Sequence, residues 1–170
     1  WEASILPIKL NPTNCGLSES ELVGLIQDGI NLWNSIPSSS IRLEYGGLSS
    51  ALASNFSAAN PNLIPDSPVI LCSTDFAVES GLAASNDPTQ ISLVNDTIPA
   101  LVQTGTVDSS LVYAPMLLNA TAGGQASILS LARDRVRIVI AHEIGHMLGL
   151  GHASASAALM HYNASAKTVL

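Results

Sequence analysis

The sequence predicts an α+β domain, a mixed, twisted sheet covered by two long helices. Three observations predict it. Short segments with period-two alternation recur through the first two thirds of the 170 residues. Two apolar stripes with helical spacing stand near the two ends of the chain. Neither an internal repeat nor a long linker divides it, so one core is expected over 1–170. Hydrophobic residues make up 47% and charged residues only 11%, against roughly a quarter in an average domain. That excludes a disordered chain. Six Lys and Arg face thirteen Asp and Glu, for a net charge of −7. A nucleic-acid partner is excluded, because there are too few cations for a basic footprint. No run approaches the roughly 18 apolar residues of a membrane span.

The elements follow in order. Ile8 and Leu10 flank Lys9 in a short strand, which Pro7 marks as an edge candidate. Ser18 and Glu21 make a capping box ahead of a helix whose apolar face is Leu22, Leu25, Ile26, Ile30 and Trp33. Pro37 stops it. Ile41, Leu43 and Tyr45 alternate with Arg42 and Glu44 in a half-buried strand, closed by Gly46 and Gly47. Val69–Cys72, Ile91–Val94 and Leu111–Tyr113 read as further strands between polar loops. After Gly123 and Gly124, residues 127–148 read as one long helix. Its start is charged through Arg133, Asp134, Arg135 and Arg137, and its second half is buried. Trp1 and Trp33 read as packing residues.

The chemistry is concentrated between His142 and His152, where three of the chain's four histidines fall within eleven residues. His142 and His146 are four apart on a helix, so their rings project from one face. Two imidazoles so placed can grip one Zn²⁺. Glu143 is one residue on, about 100° around the helix, off the metal but beside a metal-bound water. Gly149 can take a left-handed conformation, end the helix and turn the chain back. His152 then reaches the same ion. Three neutral nitrogens leave a fourth position for water, as in catalytic zinc sites. Given the first two histidines and Glu143, finding Gly149 and His152 by chance is of the order of one in several hundred. A helix end merely rich in histidine needs none of this, and a structural zinc needs neither Glu143 nor an open position.

With those residues in view, the segment His142–His152 resembles the metzincin zinc endopeptidases, whose HExxHxxGxxH motif precedes a methionine-containing turn. Met160 stands eight residues after His152, a short spacing most similar to the matrixin branch and its bacterial relatives. The resemblance implies a metzincin-type zincin fold, with an upper subdomain over about 1–149 and a short lower subdomain over about 150–170. It implies His142, His146 and His152 as zinc ligands, Glu143 as general base and Met160 as the Met-turn residue. The sequence departs from the branch in several places. No histidine precedes His142, so the second, structural zinc of vertebrate-type members is not expected. Cys15-Gly16 lacks the flanks of a propeptide cysteine switch. His161-Tyr162 follows Met160 where the branch has Tyr-Pro, and a tyrosine at this place is similar to the astacin and serralysin branches. Tyr162 therefore has two open readings, a wall of the S1′ pocket or a hydroxyl near the metal. His161 reads as polar cleft wall. Ten residues follow Met160, too few for the family's closing helix.

Cys15 and Cys72 pair as one bridge if the chain is exported, and pack as two small apolar thiols if it is not. The bridge is the expectation, and the charge-poor surface points to a secreted, extracellular protein. The chain opens on Trp1 without a signal peptide and reads as a processed segment, with a propeptide or further domains outside it. Sequons stand at Asn55, Asn95, Asn119 and Asn163. Asp66, Asp75, Asp87, Asp96 and Asp108 lie in loops and are candidates for Ca²⁺ sites, but none shows an EF-hand or other dense ligand spacing. The expected activity is zinc-dependent hydrolysis of internal peptide bonds, with a protein or peptide as partner, extended along an edge strand within 70–75, 91–94 or 111–117. Two alternatives stay open, a non-cleaving binding module on the same fold and a zinc hydrolase of a non-peptide amide.

Overall fold

The computed structural model describes Trp1 and residues 4–56 and 68–163. Among the described residues the elements are, in order, β1 (Ile5–Leu10), α1 (Glu19–Asn34), β2 (Arg42–Leu48), a 3₁₀ turn (Ala53–Asn55), β3 (Val69–Ser73), α2 (Phe76–Glu79), α3 (Pro88–Thr97), β4 (Ala100–Val102), β5 (Gly105–Val107), β6 (Ser110–Tyr113), β7 (Met116–Asn119) and α4 (Arg133–Met147). The main sheet has the order β2-β1-β3-β7-β4, and β5 pairs with β6 in a separate hairpin. β2, β1, β3 and β7 run parallel, while β4 runs antiparallel to β7. The fold is α+β, with a mixed sheet and two long helices. α1 and α4 pack on each other, and Leu22, Ile26, Ile30, Val136, Ile140 and Ile144 join the sheet's Ile8, Ile70 and Met116 in one core. On the other face Phe56, Val69, Leu71, Phe76 and Leu117 form a second cluster.

Local chemistry accounts for the element ends. The Ser18 hydroxyl caps α1 by accepting from the Glu21 N–H at 3.3 Å. The Glu21 carboxylate turns instead to Arg133 at 2.5 Å, an exposed pair between the two helices and therefore a small contributor. Arg137 pairs likewise with Asp134 and lies near Asp28. Cys15 and Cys72 form a disulfide that ties the loop after β1 to the central strand β3. Their sequence separation is 57, and closing a loop of that size typically stabilises by about 2–4 kcal/mol. No helix among the described residues is long and apolar enough to cross a membrane.

Several expectations need correction. β1 lies inside the sheet, between β2 and β3. Lys9 donates its N–H toward β3, to Pro68 O, and Pro7 shares that orientation, but the β1–β3 register begins only at Lys9. Proline therefore costs no ladder bond there. β2 runs through both glycines to Leu48. Ile91–Val94 is not a strand but the middle of α3. Asp87 caps that helix by accepting from the Thr89 and Gln90 N–H groups, and Pro88 sits in its first turn. The last long helix begins at Arg133, not near 127. Residues 127–131 form a separate turn, anchored by the Ile128 N–H to Asn119 O at 2.8 Å, and Ala132 is extended.

The loop carboxylates also find ordinary roles. Besides Asp87 the cap, Asp96 lies inside α3 rather than in a loop and accepts from the Gln125 N–H, Asp75 precedes α2, and Asp108 takes a positive φ in the β5–β6 turn. Asp66 lies outside the described residues. Of the sequon asparagines, Asn95 and Asn119 are buried and Asn163 is exposed; the Asn55 side chain lies outside the described set. The Asn119 amide donates to Asn95 O and Ile98 O, so this residue is structural, joining the end of β7 to the approach to β4.

Candidate metal centre and cleft

A cleft of about 690 Å³ runs between β4 and the segment that follows α4. Thr97–Val102 and Thr104 form one wall, His142, Glu143 and His146 the floor, and Gly149–His152 with Tyr162 and Asn163 the other wall. β4 is the edge strand of the sheet on the cleft side. Asn119 N–H bonds to Pro99 O and Gln103 N–H to Pro115 O, so residues 99, 101 and 103 face β7. By strand alternation, the backbone groups of Ala100 and Val102 face the cleft. None of the three segments expected to supply this edge does so. β3 is central, 91–94 is helical, β7 is paired on both sides, and β6, in the separate hairpin, does not line the cleft. Three residues after a proline give too short an alternation to reveal β4 in the sequence.

The histidines are gathered by the way α4 ends. Gly149 has φ +86°, its N–H bonds to His146 O, and the Leu150 N–H reaches back to Gly145 O. These two bonds are a Schellman motif, which requires the left-handed residue at this place. The chain then reverses, and Ala153 bonds through its N–H to Met160 O at 2.7 Å. His142, His146 and His152 each bring one ring nitrogen to within 4.8 Å of the other two. Among the described residues this is the one group of three or more His, Cys, Asp or Glu side chains that could share a metal ion.

The tautomers follow from the contacts. His142 Nδ1 lies 2.7 Å from Leu159 O, and His146 Nδ1 lies 2.7 Å from Leu150 O. A carbonyl only accepts, so both Nδ1 atoms carry the proton. In the neutral rings both Nε2 atoms then present lone pairs, and these face each other at 3.1 Å. Two facing lone pairs repel unless a cation lies between them. Tetrahedral zinc at Zn–N of about 2.0–2.1 Å sets its ligand nitrogens about 3.3 Å apart. A backbone carbonyl on the second ring nitrogen is also the usual support of a metal-bound imidazole. The residues present therefore fit a zinc ion. Burial lowers the His146 pKa, the Leu150 carbonyl raises it and His152 lowers it again, which favours the neutral ring.

Glu143 is 8% exposed and lines the same cleft. Burial pushes its carboxyl up to about 8, and a hydrogen bond from the Val102 backbone N–H pulls in the other direction. Met160 is buried beneath the helix. Tyr162 lines the cleft mouth, but it is 74% exposed and its ring lies 4.3 Å from that of His161. His161 accepts from the Asn163 N–H through Nδ1. Gly145, which the histidine spacing does not mark, is a further residue of the site. A Cβ there would lie 2.3 Å from Met160 Sδ and 2.7 Å from Trp33 Cζ2. The signal was available, since this glycine breaks an otherwise good helix former between two candidate ligands. Trp1 and Trp33 pack against the core and also hold α4 by hydrogen bonds. Their indole N–H groups donate to Met147 O and Ala141 O of α4, at 2.7 and 2.8 Å.

The mixed sheet with its antiparallel edge thus carries three histidines gathered where one metal ion could lie. The Matrixin family profile matches residues 85–169, half the chain, and the chain belongs to the matrixin family. Matrixins are zinc-dependent metallopeptidases. Among curated proteins, none matches the chain.

Alanine normally favours a helix by about 1 kcal/mol over glycine. Gly145→Ala should nevertheless destabilise the metal-free protein by about 1–3 kcal/mol, because the new methyl overpacks against Met160 and Trp33. Chemical denaturation of both proteins in the presence of chelator measures this, and a stabilised variant would contradict the packing.

Proposed function

We propose that the chain is an endopeptidase that hydrolyses internal bonds of a peptide lying extended along β4. One observation carries the reading. Two imidazoles with carbonyl-fixed tautomers aim their Nε2 lone pairs at one point, in the cleft that also holds Glu143 and the open strand edge. His142, His146 and His152 would hold one zinc. When bound, that ion supplies polarisation of the scissile carbonyl and a lowered pKa for water.

The chain's own residues do the rest. The outward N–H and C=O of Ala100 and the C=O of Val102 pair with the substrate as an added strand, which fixes the scissile bond relative to the helix. Glu143 takes the proton of the attacking water on its carboxylate and passes it to the leaving amine. The Val102 N–H that bonds Glu143 belongs to the same edge, so strand and base are held in one register. Met160 supports the site from below, and Tyr162 is a wall of the cleft, in keeping with its exposure. No observation favours a non-cleaving module or a non-peptide amide as substrate. The Cys15–Cys72 bridge and the charge-poor composition support an exported protein.

Cleavage of a quenched peptide library, with chelator and hydroxamate controls, tests the reading. Chelator should abolish cleavage and added zinc should restore it. Glu143→Gln should keep stoichiometric zinc and lose at least the 10²–10⁴-fold typical of general-base catalysis. A variant that cleaves at the parent rate would overturn the assignment of the base.

Tyr162→Phe should change kcat/KM by less than about threefold, because a wall residue keeps its ring. A drop of roughly 10²–10³-fold in kcat with KM unchanged would instead place the hydroxyl at the developing oxyanion.

A further inference from the structure

We infer that Trp33, on the last turn of α1, is a positioning residue for the metal centre. The inference rests on the zinc reading above. Three contacts carry it. The Trp33 indole N–H donates to Ala141 O at 2.8 Å, one residue before His142. Its ring edge lies over Gly145, one residue before His146. Met160 Sδ lies over the same glycine, and because both distances are measured from one point, sulfur and ring carbon are no more than about 5 Å apart. Thioether–aromatic contacts are attractive at that separation.

Met160 is in turn the hinge of the third ligand's segment. Its carbonyl accepts from Ala153, the neighbour of His152, and the preceding carbonyl, Leu159 O, accepts from His142 Nδ1. Trp33 thus bears on the helix that carries two of the histidines and on the turn that orients one of them and adjoins the third. A side chain that only filled core would make neither the hydrogen bond to the helical turn that carries His142 nor the contact over a glycine whose missing Cβ is the space it shares with Met160. Removing the indole leaves α1 and α4 packed through Ile26, Ile30, Ile140 and Ile144, but frees the Met160 turn to move relative to His142 and His146.

The test compares the parent with Trp33→Phe, which loses the N–H and part of the ring. Zinc affinity is read by competition with a chromophoric chelator, and ligand geometry by the visible d–d bands of the Co²⁺-substituted protein. Trp33→Phe should weaken zinc 10–100-fold, as supporting partners of metal ligands do, and should shift or broaden the cobalt bands. Ile26→Val, on the same helix and fully buried, should lower the unfolding temperature of the metal-free protein without moving zinc affinity. Trp33→Phe and Met160→Leu together should weaken zinc less than the product of their separate effects, since they disrupt one contact. If Trp33→Phe does not fold, replacing the indole N–H by sulfur in a benzothienyl side chain removes the donor alone and should still weaken zinc. Parent-like zinc affinity and cobalt bands in Trp33→Phe, with only a lower unfolding temperature, would overturn the inference. A parent protein that binds no stoichiometric zinc would overturn the metal reading itself, and this inference with it.

Discussion

The geometry of the cleft depends on the reversal of the chain at Gly149. A left-handed residue there lets Leu150 and Gly149 satisfy the last carbonyls of α4 and sends the backbone back beneath its own helix. Two things follow at once. The returning carbonyls, Leu150 O and Leu159 O, take the Nδ1 protons of His146 and His142. The turn also brings His152 beside them. Without the reversal the two helical histidines would keep free tautomers and His152 would not stand beside them.

A reversal on a surface loop is cheap to make and easy to lose, so it needs a rigid partner. The second half of α4 supplies one, with Ile138 to Gly145 buried without a break. Isolated helices of this length are marginal, and its order comes from packing against α1 and the sheet. Gly145 then lets the loop dock closely, because its missing side chain is the space that Met160 and Trp33 share. Function is thereby coupled to the core. The cleft floor is the surface of a packed helix, while its walls are an edge strand and a turn.

What could be read from the sequence is what is local. The three gathered histidines, Glu143 and the glycine stop all lie within eleven residues, and their spacing alone carries the geometry. The capped start of α1 was legible for the same reason, since Ser18 and Glu21 are neighbours on one turn. Ile91–Val94 misled because a four-residue apolar run has no period, and the better signal was the Asp87-Pro88 start just before it. β4 stayed hidden because three residues cannot alternate convincingly, and its role comes from pairing with β7 fourteen or more residues later. The Trp33 contacts join residues 108 apart, a separation at which the sequence carries no pattern.

X-ray absorption at the zinc edge of the metal-loaded protein tests the central claim most directly, because it reports the donor set without any assay of activity. The account predicts one zinc per chain with three imidazole nitrogens at about 2.0–2.1 Å and one further light donor, becoming two imidazoles in His152→Ala. Sulfur in the first shell, an unchanged spectrum in His152→Ala, or no stoichiometric zinc would contradict it.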